Sequence, residues 1–287
     1  MHPTSPIDLH CHSTASDGTL TPADVVRHAA AAGVRVLALT DHDSLDGLEQ
    51  AVAAADAAAV SLVPGVEISV TWRGRTVHIL GLGVDSADMR LRAGLAGLSE
   101  FRDWRATEIA RRLERSGIPG ALEGAQRLRT GRILSRTHFA RHLVERGLAV
   151  SVSDVFTRYL KPGKPGHVPG QWADLAIAVD WVRGAGGIAA IAHPARYRLT
   201  RTKLAQLIRE FKDAGGEAIE VVSGSHTRDD TLHMAAVARE YGLLASQGSD
   251  YHGPENPWIE LGRLRPMPAG CAPIWAADAA RRWTTSA

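Results

Sequence analysis

Two cysteines in 287 residues, Cys11 and Cys271, are too few for a disulfide framework or a cysteine-rich zinc ribbon. A reducing cytoplasm is therefore the expected setting. Charge of one sign is also missing, since 33 Lys and Arg stand against 31 Asp and Glu. Anion binding must then come from local clustering, not from a global field. No uninterrupted apolar stretch reaches the length that spans a bilayer. Residues 1–6 lack the basic region and apolar run of a secretory signal. Internal repeats and low-complexity linkers are missing as well. These gaps leave a soluble α/β protein, long enough for one large domain or a domain with an insertion.

The most informative stretch that is present is Ile7-Asp8-Leu9-His10-Cys11-His12-Ser13, followed by Ser16-Asp17-Gly18. Side chains two apart on a strand share a face, so His10 and His12 present two imidazoles side by side while Cys11 turns away. Such a pair is a metal-binding edge. Next, Thr21-Pro22-Ala23-Asp24 reads as a helix start, and the apolar run 34–39 reads as a strand covered on both faces. The β-α-β pattern recurs. Ser44 opens a helix through 48–59, and 60–70 and 75–84 are strand-like. Apolar runs 187–192, 218–222 and 243–246 alternate with helical segments 203–214 and 229–241. Strands alternating with helices imply a parallel sheet, most economically a closed or distorted barrel. Between 85 and 170 the texture becomes helical and arginine-rich, ending in Lys161-Pro162-Gly163-Lys164-Pro165-Gly166. The expected organisation is a barrel from 1–84 and 171–287, interrupted by a helical substrate-binding subdomain at 85–170.

Polar residues gather at the ends of the expected strands, where barrels concentrate their chemistry. After His10, His12 and Asp17 come Asp41-His42-Asp43, Glu67 in Pro64-Gly65-Val66-Glu67, His78, His193-Pro194 and Asp250-Tyr251-His252. A lone histidine beside a strand is more often an ordinary core or surface residue, and His2, His28 and His233 are read that way. His138, His142 and His167 stay open. Carboxylates after strands are often helix caps, a reading available to Asp17 and Asp43. Six histidines and three carboxylates so placed cannot all be caps and fillers. Burying that many ionisable groups without an ion would cost several kcal/mol or shift their pKa values strongly.

In order and residue type, His10-x-His12, Asp17-Gly18, Thr40-Asp41-His42, Pro64-Gly65-x-Glu67, His78, His193-Pro194 and Asp250-x-His252 resemble the motifs of the PHP (polymerase and histidinol phosphatase) family. The resemblance covers nearly the whole chain. It implies a distorted seven-stranded β/α barrel, related to the amidohydrolases, with a trinuclear metal centre. By motif, His10, His12, Glu67 and Asp250 would surround one ion and hold the attacking hydroxide. Glu67, His78 and His193 would hold a second, and Asp17, His42 and His252 a third. Asp41 and Asp43 would orient ligands. Imidazole-rich, thiolate-free donors suit manganese, zinc or iron better than magnesium or calcium, and the resemblance favours manganese. Three divalent ions, three carboxylates and a hydroxide leave a local charge of about +2, matching a phosphomonoester dianion.

The insert resembles that of short PHP proteins acting on 3′,5′-nucleotide bisphosphates and on 5′ ends of short RNA. A second phosphate, away from the metals, calls for guanidinium and ammonium groups. Arg136, Arg158 and Lys164 are the candidates, with Ser135 and Lys161 supporting. His226, in Ser223-Gly224-Ser225-His226, is a further candidate, whereas Glu220 reads as a paired core carboxylate. The expected activity is metal-dependent hydrolysis of the 3′-phosphate of a nucleoside 3′,5′-bisphosphate. A 5′→3′ exoribonuclease is the alternative; histidinol phosphatase and a non-catalytic metal-binding scaffold are the remaining rivals. The expected partner is a small nucleotide or short RNA, with no membrane and no stable protein partner implied.

Overall fold

A helix between two parallel strands has to pack back across the sheet those strands build. The computed structural model, which describes residues 4–283, is assembled largely from such units. β1 (Ile7–Cys11) leads through α1 (Pro22–Ala31) to β2 (Val36–Leu39), and α2 (Leu48–Ala58) leads to β3 (Ser61–Trp72). Thr21 caps α1 by accepting from the Asp24 backbone N–H, with Pro22 at the first helical position. α2 begins at Leu48, not Ser44. The Ser44 hydroxyl instead accepts from Asp46 N–H in a separate turn.

β3 doubles back into β4 (Arg75–Leu82) through Arg73 and Gly74, whose φ angles are 47° and 73°. Two consecutive positive φ values match the twist of a two-residue hairpin. After β4 the chain leaves the sheet for α3 (Met89–Arg115), α4 (Ala121–Arg127), α5 (Arg136–Glu145) and the short α6 (Val152–Val155). It returns through β5 (Ala173–Asp174), α7 (Leu175–Gly184), β6 (Ile188–Ile191), α8 (Arg201–Asp213), β7 (Ala218–Ser223), α9 (Arg228–Tyr241) and β8 (Leu244–Gly248).

The main strands lie in the order β1-β2-β3-β4-β6-β7-β8, with β5 paired to β3. β4 is antiparallel to both neighbours, and the other pairings are parallel. The two ends of the sheet meet. Asp250 N–H donates to His10 O at 2.8 Å, His12 N–H donates to Tyr251 O at 2.8 Å, and Cys11 bridges Tyr251 in parallel. The result is a nearly closed, distorted seven-stranded barrel with helices outside and an inserted helical segment. Parallel strands deliver their C-terminal ends to one mouth, where β1, β2, β7 and β8 run out into polar sequence.

The strand starts are plugged from below. Ile274, Ala280 and Trp283 join Leu9, Val36, Val63, Leu82, Ile188 and Ala218 in one buried cluster. Gly83 lies so close to the Trp283 indole that a Cβ there would fall 2.8 Å from it. The tail therefore packs on the barrel. α3 joins the two halves of the molecule. Its Leu91, Leu95 and Leu98 belong to the barrel's outer core, whereas Ala106, Ile109 and Leu113 pack with Phe139, Leu143, Val155 and Leu160. At 1.5 Å per residue this helix is about 40 Å long, enough to serve both cores. Among the described residues, no helix is long and apolar enough to cross a membrane.

Candidate metal centre

β1 ends with the imidazoles of His10 and His12 turned into the mouth, their Nε2 atoms 3.2 Å apart. Both are fully buried. A kink in the β1–β2 register between Asp8 and Cys11 accompanies this convergence. Glu67 reaches the same point from β3, where Gly65 lets the strand pass close to β2. A Cβ on Gly65 would meet Thr40 Cγ2 at 2.8 Å and Leu39 O at 3.0 Å. Asp250 follows β8 with φ at 58°, and His193 follows β6 with φ at 29°. Non-glycine residues in that region are strained by about 1–3 kcal/mol each, and such strain concentrates at functional positions.

Glu67 is the hub. Its Oε1 accepts from His78 Nδ1 at 2.8 Å and His193 Nε2 at 2.9 Å. Its Oε2 lies 3.3 Å from His12 Nε2 and 3.5 Å from His10 Nε2, and both nitrogens are equally near Asp250 Oδ1. His42 Nδ1 is 2.9 Å from Glu67 Oε2, yet neither atom has a hydrogen-bond partner. Asp17 Oδ1 is 3.4 Å from His252 Nε2 and 3.9 Å from His42 Nε2, and it too is buried without a partner. Among the described residues, ligand atoms within 4.8 Å of one another form three groups: His12, Asp17, His42 and His252; His10, His12, Glu67 and Asp250; His42, Glu67 and His78. His12, His42 and Glu67 each stand in two groups, and His193 joins through Glu67. Buried lone pairs that face one another with no hydrogen between them are what a set of cations would satisfy. The donor set therefore fits divalent metal ions.

The electrostatics agree. Burial alone would raise the carboxyl of Glu67, but the imidazoles of His78, His42 and His10 outweigh it and hold it well below the carboxylate range. Asp17 and Asp250 are held low in the same way, against burial, by His42 and His252 and by His10 and Arg196. Burial opposes charge on His12, yet the Asp250 and Glu67 carboxylates beside it push it up to about 10. A proton on His10 or His12 therefore partly stands in for a cation, whereas burial pushes His42 down and His193 to about 4; metal binding must displace the protons on the first two.

Partners behind the ligands fix their orientation. His10 Nδ1 pairs with Glu220 Oε1 at 3.0 Å, which leaves Nε2 facing the centre. The other Glu220 oxygen accepts from His193 N–H at 2.6 Å. Asp41 accepts from Ser13 N–H, Ser13 Oγ and Ser16 Oγ, and so holds the turn that carries Asp17. Asp43 accepts from Ser69 N–H at 2.6 Å and from Arg102 Nε at 2.7 Å. Arg196 pairs with Asp250 Oδ2.

Around the mouth, the cations named from the sequence fare differently. Arg136 is half-buried, its guanidinium 5.3 Å from the Phe156 ring centre. Burial, then Arg102 and Arg196, lower its pKa to about 10, with Asp17 opposing them. Ser135 donates to Asp17 Oδ2 at 3.0 Å. Arg158 is exposed and donates to Leu148 O at 2.6 Å, with Asp154 beside it. Lys161 donates to Thr157, and Lys164 is exposed. His226 is buried, its Nδ1 3.2 Å from Val221 O. The sequence reading missed Arg102, Arg105 and Arg196. Arg102 and Arg105 are buried arginines stacked on Trp172, at 4.9 and 5.1 Å. Burial, then the neighbouring Arg136 and Arg102, depress the Arg105 guanidinium, which donates to Val168 O. Arg102, Arg105 and Arg136 repel one another, and of these three Arg102 is the one ion-paired, to Asp43, which leaves positive potential directed at anions. In an arginine-rich helix nothing in the sequence separates these two from solvated neighbours. His2 lies outside the described residues; His28 pairs with Glu260, away from the centre.

His138 is buried, and its Nδ1 accepts from Ser135 N–H, completing a capping box at the start of α5. Burial lowers its pKa to about 4. The unfolded chain thus takes up this proton first, near pH 6.5, so the stabilisation is complete above 6.5 and is lost as pH falls toward 4. His138→Gln keeps an acceptor at the capping position. It is expected to flatten the fall in Tm across that window, recovering up to ~3 kcal/mol at its acid end. Equal acid sensitivity in thermal unfolding of variant and wild type would count against it.

The PHP domain matches residues 8–128. The chain is 49% identical over 270 residues to a 3′,5′-nucleoside bisphosphate phosphatase of Chromobacterium violaceum, covering 94% of this chain and 95% of that one. It is 46% identical to the 5′-3′ exoribonuclease Rnm of Escherichia coli, covering 93% and 92%. A solved structure from Chromobacterium violaceum, described as an amidohydrolase with bound sulfate, superposes with a TM-score of 0.93 at 48% identity over 97% of each chain. A Bifidobacterium adolescentis structure at 24% identity shares the fold, with a TM-score of 0.83. With that identity along nearly its full length, and with the motif residues converging at the barrel mouth, the chain belongs to the PHP family.

Proposed function

We propose that this protein is a metal-dependent phosphatase that removes the 3′-phosphate from nucleoside 3′,5′-bisphosphates, releasing a nucleoside 5′-monophosphate and inorganic phosphate. The observation that carries the reading is the ring of His10, His12, Asp17, His42, Glu67, His78, His193, Asp250 and His252. Within it Asp17 Oδ1, His42 Nδ1 and Glu67 Oε2 are buried without a hydrogen-bond partner, and a carboxylate-poor arginine group lies beside it. The nine residues are proposed to hold three divalent cations; imidazole and carboxylate donors without thiolate suit manganese, zinc or iron, and the resemblance to the PHP family favours manganese. When bound, such ions supply a nucleophilic water at neutral pH and neutralise charge that develops on the transferring phosphate.

The chain's own residues do the rest. Glu220 holds His10 in one tautomer, Arg196 restrains Asp250, and Asp41 fixes the Asp17 turn. Residues 85–170 are proposed to be the substrate-binding subdomain, with Arg136 as the main contact for the 5′-phosphate and Arg105 adding charge. Ser135 and His226 are proposed to line the same substrate path. Arg158, Lys161 and Lys164 would contribute potential more than direct contact. The similarity to the Escherichia coli exoribonuclease favours a second reading, in which the same centre trims short RNAs from a phosphorylated 5′ end.

Phosphate release from adenosine 3′,5′-bisphosphate and from 3′-AMP, with manganese, tests the proposal. The bisphosphate is expected to be preferred by at least about tenfold in kcat/KM, the weight of roughly one charge-assisted contact. No preference would remove the 5′-phosphate from recognition. Stepwise mononucleotide release from a 5′-phosphorylated oligoribonucleotide, without bisphosphate hydrolysis, would select the second reading.

A further inference from the structure

The carboxylate of Asp17 is divided between the barrel and the inserted helices. Its Oδ1 faces His252 and His42 without a hydrogen-bond partner. Its Oδ2 accepts from Ser135 Oγ at 3.0 Å and Thr137 Oγ1 at 2.9 Å. Both hydroxyls belong to the start of α5, and Ser135 also accepts from Thr137 N–H at 3.0 Å. The loop before α5 lies on the same turn. A Cβ on Gly131 would fall 2.3 Å from Thr14 O, and Thr130 Oγ1 donates to that oxygen at 3.3 Å. From the barrel side Asp41 grips Ser13 and Ser16. Asp17 thus sits on a turn held between the end of β2 and the insert.

Two hydroxyl donors on one oxygen leave the other free and fix the plane of the carboxylate. A ligand oriented this way meets a cation without having to give up rotational freedom at that moment. We infer that Thr137, with Ser135, is a positioning residue for the cation bound among His12, Asp17, His42 and His252, so that retention of this ion depends on the insert being seated on the barrel. The inference rests on the metal-centre reading. Linkage makes the coupling mutual: an ion at that position also holds the insert down.

The test compares wild type, Thr137→Val and Thr137→Ser, each loaded with manganese and dialysed against a graded chelator series, with ions per chain counted by mass spectrometry. Valine keeps the shape and loses the donor; serine keeps the donor. Wild type and the serine variant are expected to retain all their ions at chelator strengths where the valine variant has released one, a 10–100-fold shift for that ion alone. Amide exchange of residues 128–140 is expected to slow on adding manganese to wild type and the serine variant but not to the valine variant. Identical ion release from wild type and the valine variant would overturn the inference and leave the metal centre standing. Serine behaving like valine would overturn it too. A wild-type chain that retains no ion would instead overturn the metal-centre reading, and the inference with it.

Discussion

Glu67→Gln is expected to lower kcat/KM for a nucleoside bisphosphate by about three orders of magnitude, on the order of 4 kcal/mol of transition-state stabilisation. The carboxylate meets five imidazoles: Oε1 serves His78 and His193, and Oε2 faces His10, His12 and His42. An amide there removes one negative charge and turns donor hydrogens toward nitrogens that need to stay free. Burial is complete at this position, so water cannot screen the change. The retained manganese should fall in parallel, which separates loss of the ion from loss of a proton-transfer group. Activity within tenfold of wild type would show that Glu67 is not the hub.

Arg102→Ala is expected to lower the Tm of the metal-free protein by roughly 10 °C. Arg102 and Asp43 are almost wholly buried, and the guanidinium joins α3 to Asp43 Oδ2 and to Ser69 Oγ at 2.9 Å. Removing one partner of a buried pair costs about 3–5 kcal/mol, because the other charge is left uncompensated. At about 2–4 °C per kcal/mol for a chain near this size, the shift follows. Asp43 also holds its own strained backbone, with φ at 49°. Lysine at position 102 should not restore the loss, since one ammonium cannot serve two acceptors at the fork's angles. A change of less than about 2 °C by calorimetry would mean that the contact between insert and barrel is carried elsewhere.

What could be read from the sequence, and what could not, divides along physical lines. Most of the nine candidate ligands were legible because they are metal-donor types in or beside an apolar run, Asp17 and the complete set coming from the resemblance to the PHP motifs, and the barrel turns that one-dimensional pattern into a ring. The reversal of β4 was not legible. Strand direction leaves no mark on a run such as 75–84, and its only signal, the Arg73-Gly74 turn, is short and chemically ordinary. The helix at α2 was placed four residues early because Ser44 has cap chemistry, which the fold uses in a turn instead.

The insert was the least legible part. Arg158, Lys161 and Lys164 were chosen for their charge, and the fold leaves all three exposed, with Arg158 committed to Leu148 O. Arg102 and Arg105, three apart on α3, look no different in sequence from Arg111 and Arg112, which pair with Glu108, Arg112 donating also to His167 O. Which arginines turn inward is decided by Trp172, about 70 residues away, and by Asp43 on the barrel. Thr137 escaped notice for a similar reason. Its hydroxyl acquires a role only because the loop at Gly131 brings α5 onto the Asp17 turn.

Anomalous diffraction from crystals grown with manganese tests the central claim most directly. The account predicts separate manganese peaks inside the ring formed by His10, His12, Asp17, His42, Glu67, His78, His193, Asp250 and His252, with Glu67 between two of them. A well-ordered barrel mouth with no anomalous density among those side chains, from crystals of protein that hydrolyses the bisphosphate, would contradict it.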